Sequence, residues 1–592
     1  MKKISVSIVA ISILFIACKQ QPKITVKENE AFNQFLEAYY QDGLQLNPIS
    51  ATFAGDNRYN GEFPNTLSDE FQQKITTFFT NYLTKAADYT DETLTESQQM
   101  SKAVLIWDCE ISLEQLNFKK GLLMPIDQMW SVHLMMGQLG SGASAQPFKT
   151  VVDYSNWLQR LEGYDTWLHT AIGRMQQGIK EGYVLPISLT KKVIPQFEVL
   201  ATTTLKKHLF YSPLKKFPES FSQGDKDKLT KMYTKMLSKK LLPTFNSMHQ
   251  FLTTDYISSS RVSSGISDTP NGLDYYKHSI KNYTTTSMTA DEIHKLGLSE
   301  VARILSEMEK VKQQVGFKGT LKEFFDDVRE NKKLMPYTTP KQIIDHFNEI
   351  HTRMKPQLEK LFGNKPKTAF IVKKTEKFRE ASASAEYNQG SLDGTRPGVF
   401  YTPIPDATKY NVFSDEALFL HEAIPGHHYQ ISLQQENTSL PSFRKTLWYS
   451  AYGEGWALYT ENLGKELGLY TDPYQYFGML GMEMHRAIRL VVDTGLHTKG
   501  WSREKAIQYS LDNEAESEAG ITSEIERYMA NPGQALSYKI GQLKIRELRA
   551  KATQELGDIF DIKEFHNQVL ASGCIPLALL EAKIDKWIAA SK

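Results

Sequence analysis

The sequence predicts a mainly α-helical fold with one small β-sheet. Three observations carry this. Apolar residues recur at three- and four-residue spacing over most of the chain, helix-start signals recur ahead of those stripes, and only two short runs read as strands. Near the start, Phe32, Phe35, Leu36 and Tyr39 mark one face of a helix. Between Asp227 and Asp255 the beat is carried by Leu229, Met232, Tyr233, Met236, Leu241 and Leu242, with Pro243 as the expected break. Ser258 to Gly272 is Ser/Gly-rich and reads as a surface loop or subdomain edge. Thr289-Ala290-Asp291-Glu292 is a capping box, in which the Thr oxygen and the Glu carboxylate satisfy end N–H groups reciprocally. Thr339-Pro340 starts another helix, with Pro tolerated in the first turn. Phe370 to Val372 and Gly398 to Tyr401 are the two strands, separated by the turn-rich Gln389 to Pro397; helices resume at Ser414. No internal repeat or low-complexity block is visible.

Composition narrows the class of protein. The chain has 592 residues, 41% hydrophobic and 23% charged, which excludes wholesale disorder and a fibrous repeat. Lys+Arg (69) and Asp+Glu (68) leave a formal charge of +1, so the basic excess expected of a nucleic-acid binder is missing.

The first residues predict export. Lys2 and Lys3 precede an apolar run, Ile4 to Ile16, that is too short for a bilayer core of ~30 Å but suits a signal peptide. Phe15-Ile16-Ala17-Cys18 resembles a bacterial lipobox, which implies residues 1–17 as a lipoprotein signal peptide and Cys18 as the lipid-bearing N-terminus. An ordinary secretory signal is the alternative. Residues 18–28 form a polar tether. The expected location is the cell envelope, with the outer membrane facing the periplasm favoured by the lack of Asp after Cys18. Cys109 and Cys574 can pair or stay free; two residues are no disulfide framework.

The chemistry concentrates around Phe419-Leu420-His421-Glu422-Ala423-Ile424-Pro425-Gly426-His427-His428. Two His at i and i+4 of a helix, with Glu after the first, bind one zinc ion. Here i+4 is Pro425, His427 lies at i+6 and points elsewhere on a regular helix, and His428 at i+7 sits ~10.5 Å along the axis. Pro425-Gly426 must therefore break the helix and bring the second ligand round. His427 is the expected ligand and His428 the fallback. Some thirty residues on, Tyr452-Gly453-Glu454-Gly455-Trp456-Ala457-Leu458-Tyr459-Thr460-Glu461 resembles the third-ligand helix of gluzincin aminopeptidases, with Glu454 matching the ligand and Gly455 expected to keep bulk off the ion.

Together with Arg527-Tyr528…Pro532-Gly533-Gln534-Ala535…Tyr538, these runs resemble a bacterial family long filed as a domain of unknown function and grouped with gluzincin-type metallopeptidases. The resemblance implies a helical metallopeptidase-like fold, with the sheet beside the zinc helix and a central cleft. Residues 29–280 are read as a helical N-terminal half and residues 281–592 as the zinc-binding half, together forming one continuous fold around the cleft. The expected activity is Zn2+-dependent hydrolysis of peptides. In it His421, His427 and Glu454 hold the metal, Glu422 is the general base, and Tyr538 or Arg527 donates to the oxyanion. A peptide- or metal-binding lipoprotein without catalysis, or a zinc hydrolase of non-peptide amides or esters, keeps the same residues. The strand Val399 to Tyr401 is expected to pair with substrate backbone as an edge, with Gly394 and Tyr401 beside the substrate and Arg396 meeting its carboxylate; a surface turn is the alternative. Arg486, Arg489, Asp493 and His497 lie at helical spacing. Asp493 and His497 are expected to support the ligands from behind, or to form a buried salt-bridge network. Oligomeric state is not legible.

Overall fold

The computed structural model describes residues 27–142, 144–377, 380, 384–392 and 394–592. The signal peptide, Cys18 and most of the tether lie outside the described residues.

Local chemistry sets the helix starts. α1 (Glu30–Leu46) opens on Asn29, whose Oδ1 accepts from the Phe32 N–H at 3.1 Å, and it buries Phe32, Leu36 and Tyr39 as the predicted stripe. α2 (Val151–Glu181) starts on a Thr150–Asp153 capping box and ends at Gly182, whose φ of 83° is the left-handed conformation common at helix ends. α3 (Ala290–Gln314) shows the predicted box, with Glu292 Oε2 accepting from the Thr289 N–H at 2.8 Å. α4 (Pro340–Leu361) places its Pro at the first position, where no N–H is needed.

Three strands form the sheet: β1 (Phe370–Lys374), β2 (Glu386–Asn388) and β3 (Gly398–Thr402), in the order β1-β3-β2. β1 runs parallel to β3, with Phe370 opposite Gly398, and β2 runs antiparallel, with Tyr387 opposite Phe400. β2 was missing from the sequence reading because three residues are too few to show an alternation. β3 is central, so its backbone is committed to neighbours on both sides. It does not offer the expected free edge; β1 and β2 are the edges, and β2 is the one whose Glu386 and Tyr387 line the cavity described below. Phe400 packs on Phe347 of α4 with ring centroids 5.0 Å apart, and Phe370 packs on Phe419 at 6.0 Å. These contacts seat the sheet beside α5 (Asp415–Glu422).

The remaining elements that position the site are α6 (His427–Glu436), α7 (Ser450–Asn462), α8 (Pro473–Thr498), α9 (Glu518–Ala530) and α10 (Ser537–Leu556). α3 packs along α8, and α7 along α10. The second pair is close because glycines face each other: a Cβ on Gly455 would lie 2.5 Å from the Gly541 backbone, and one on Gly541 would lie 1.8 Å from the Ala451 carbonyl. Gly455 thus makes room for α10, not for an ion as the sequence suggested.

Two other readings change. Pro243 does not end its helical run. A π-turn, Leu237–Leu241, precedes it and the helix runs on through Leu242–Phe251, the wider turn lying where the proline lacks an N–H for the preceding carbonyls. The Ser258 to Gly272 segment is not a surface loop throughout, since Ser264, Ile266 and Thr269 are buried. A Cβ on Gly265 would lie 2.1 Å from the Leu496 carbonyl of α8, so this segment is docked on that helix. Cys109 and Cys574 are both buried and free.

Candidate metal centre

The helix carrying His421 and Glu422 stops where Pro425-Gly426 predicted. The last bond of α5 runs from Ala423 N to Phe419 O at 2.9 Å, Ala423 and Gly426 are non-helical (ψ −102° and −130°), and α6 begins at His427. The Ile424–Pro425 peptide is cis. Gly426 is required by space: a Cβ there would lie 1.9 Å from the His421 carbonyl oxygen and 2.2 Å from that of Leu420. The carbonyls freed by the break find donors on α7. Thr460 Oγ1 donates to Leu420 O at 2.9 Å and Trp456 Nε1 to Pro425 O at 2.8 Å. The Glu-Gly-Trp-Ala run therefore both supplies Glu454 and holds the turn that presents His427.

His421, His427 and Glu454 converge, with one ligating atom of each lying within 4.8 Å of the others. Glu454 Oε2 is 3.5 Å from His421 Nε2 and 3.4 Å from His427 Nε2. Ligand atoms at ~2.0–2.1 Å from a tetrahedral ion are ~3.3–3.4 Å apart, so both spacings fit the edges of such a coordination shell. Two imidazoles and one carboxylate are a donor set suited to zinc, and three protein ligands leave a fourth position open. On the far side of His421, Nδ1 meets Glu461 Oε1 at 2.7 Å; Glu461 is fully buried. A carboxylate there fixes the ring so that Nε2 faces Glu454. Burial pushes His421 down, yet its bonds to Glu454 and Glu461 outweigh this and carry it to about 9, while the same imidazoles hold Glu454 far below the usual carboxylate range. A cation at this cluster would take the place that the proton holds between these groups.

The ligands line a cavity of about 1090 Å³. Glu422 and Tyr538 line it too. Burial raises the Glu422 carboxyl, as suits a base that must hold a proton, and burial followed by the Glu454 charge raises the Tyr538 phenol, which keeps it a donor. The Arg489 guanidinium lies over the Tyr538 ring, 4.5 Å from its centroid.

Other expected site residues are placed differently. His428 turns to the sheet, with Nδ1 3.0 Å from the Tyr387 hydroxyl and the ring against Phe370, so the fallback ligand is not part of the cluster. Arg396 and Gly394 are exposed, Tyr401 is half-buried, and none lines the cavity. Arg527 lines it, with its Nε donating to Glu524 at 3.0 Å and its Nη1 to Gln534, so these donors are turned to protein partners. Asp493 and His497 do not touch the ligands. Asp493, raised to about 7 by burial, accepts from the Tyr276 hydroxyl at 2.6 Å and from Gly533 N at 3.1 Å. His497 joins Ile266 N to Tyr528 O and so anchors the docked segment. Glu461 is a partner of His421 not singled out from the sequence, although its i+7 spacing from Glu454 places both on one face of α7.

Glu461→Gln keeps the shape but weakens the hold on His421. Metal affinity should fall about 10–100-fold with the fold intact, as measured by competition with a chromogenic chelator.

The fold and site together define a mainly helical protein in which two buried His and a partly buried Glu converge in one large cavity that Glu422 and Tyr538 also line. The chain belongs to the family described as "Bacterial protein of unknown function (DUF885)", whose model matches residues 48–584. It is similar to a crystal structure described as "the putative lipoprotein from Colwellia psychrerythraea" (27% identity, TM-score 0.86, 95% of this chain and 100% of that one). It is also similar in fold to a "putative lipoprotein of unknown function from Shewanella oneidensis" (20%, 0.71, 93% and 99%). A "putative oligoendopeptidase F from Bacillus anthracis str. Ames" matches at 11% and a TM-score of 0.27, which carries no argument. No curated protein matches.

Proposed function

We propose that the protein is a zinc-dependent hydrolase that cleaves peptides outside the cytoplasm. The observation that supports this most is the placement of Glu422: a buried carboxylate with raised proton affinity lines the same cavity as the three ligands, and a site that only bound metal or peptide has no use for it. His421, His427 and Glu454 would hold the ion, which when bound supplies Lewis acidity to a carbonyl and makes water a stronger nucleophile. Glu422 takes a proton from the attacking water, keeps it in its dry setting, and returns it to the leaving amine as the C–N bond breaks. Tyr538, protonated and steadied by Arg489, donates to the oxygen that gains charge. Glu461 and the Trp456 and Thr460 bonds hold the ligands and the broken helix in register.

The lipobox-like run ending at Cys18 and the lipoprotein descriptions of two similar structures support an envelope protein held to a membrane by lipid. No helix among the described residues is long and apolar enough to cross a bilayer. Digestion of a peptide library, followed by mass spectrometry, tests the activity. Cleavage that stops with a chelator and returns with zinc is the expected result; peptide binding without cleavage in the metal-loaded protein would place it among binding proteins instead.

A further inference from the structure

One wall of the cavity carries three guanidinium groups, and one of them has no carboxylate partner among the described residues. Arg486 and Arg489 of α8 and Arg527 of α9 all line it. Glu524 serves two of them, accepting from Arg489 Nη2 at 2.9 Å and from both Nε and Nη2 of Arg527. His485, also on this wall, is held by Glu514 behind it at 2.6 Å, and the wall's other carboxylate, Glu516, is exposed and makes no ion pair with Arg486 among the described residues. Arg486 has no carboxylate partner among the described residues. Its one hydrogen bond runs from Nη1 to the Met482 carbonyl at 3.3 Å, and its Nε is buried without an acceptor, as is Nη1 of Arg489. Buried guanidinium donors without acceptors are costly, and a planar carboxylate is the group that satisfies them through paired N–H bonds. Arg486 lines the same cavity as Glu422 and Tyr538, the chamber in which the scissile bond would lie.

We propose that Arg486, with Arg489 beside it, binds the free α-carboxylate of the substrate, so that the protein removes residues from the C-terminus of short peptides. This rests on the hydrolase reading above. It moves to Arg486 the role expected of the exposed Arg396. In the reaction the C–N bond near the C-terminus breaks, the oxygen of water joins the carbonyl carbon, and one water proton passes through Glu422 to the departing amine, which leaves as a free amino acid or short fragment bearing the bound carboxylate.

The test compares matched peptides with a free C-terminus, with a C-terminal amide, and with an amide plus an Asp or Glu side chain near the end. For the zinc-loaded parent, kcat/KM should favour the free acid by about 10²-fold, the scale of losing one partner of a buried charge pair. Released products should map to the C-terminus. In Arg486→Gln the ratio of free acid to amide should collapse towards one, and Arg486→Lys should restore part of it. Equal cleavage of acid and amide by the parent, or a ratio unchanged in a folded Arg486→Gln protein, overturns the assignment while leaving the hydrolase reading intact. Cleavage of the acidic amide as fast as the free acid points to a side-chain carboxylate and overturns it too. If Arg486→Gln does not fold, the parent's ratio alone decides. A zinc-loaded parent that cleaves none of the three sinks the hydrolase reading and this assignment with it.

Discussion

Glu422→Gln is expected to retain its metal and lose turnover. The amide matches the carboxylate in shape and fills the same buried position between the ligand helix and the cavity, so neither the fold nor the ligand set should change. It cannot accept a proton, however, and Glu422 is asked to move one twice, from water and then to the amine. General-base contributions are typically about 10²–10⁴-fold, and the loss should reach or exceed that range. Tyr538→Phe gives the contrast. It removes one donor to the developing oxyanion and should cost about 10²–10³-fold in kcat with little change in metal content. Paired measurements of bound zinc and peptide turnover separate the two roles. If Glu422→Gln turns over at the parent rate with zinc bound, the acid–base assignment is wrong even though the metal site stands.

The second large effect falls on the metal itself. Glu454 is the one anion among the three ligands, and its Oε2 is the atom that both imidazoles approach. Glu454→Ala leaves two neutral His ligands and should cost more in affinity than the about 10–100-fold expected when only a supporting partner such as Glu461 is altered. Metal content after dialysis should therefore be lost in Glu454→Ala and in His421→Ala, and activity with it. The His428→Ala protein should keep its zinc, because that ring faces Tyr387 and Phe370. Loss of zinc on removing His428 but not His427 would reverse the choice between them.

What was legible in the sequence follows from the range over which each feature is encoded. The convergence of His421 and His427 was readable because its signal is local: Pro425-Gly426 announces the break that brings His427 round, and Glu422 follows His421 directly. Helix starts such as Thr289 and Pro340 were readable for the same reason. The neighbours of those residues were not. Spacing correctly put Arg489, Asp493 and His497 on one face of α8, but that face spans several turns. Arg489 reaches the cavity, whereas Asp493 and His497 meet Tyr276 and Ile266, residues brought there by a segment more than two hundred positions away. Arg396 sits close to a strand in sequence yet is exposed and outside the cavity lining, since exposure is a property of the packed chain. Gly455 shows the same limit: its need for space was visible, and the helix that fills the space was not.

The most direct test of the central claim is a zinc titration of metal-free protein, with bound metal and peptide hydrolysis followed together. If His421, His427 and Glu454 form one catalytic site, activity should rise in proportion to bound zinc and level off at about one ion per chain. Full hydrolysis by rigorously metal-free protein, or a stoichiometric ion that remains in both His421→Ala and Glu454→Ala, would contradict it.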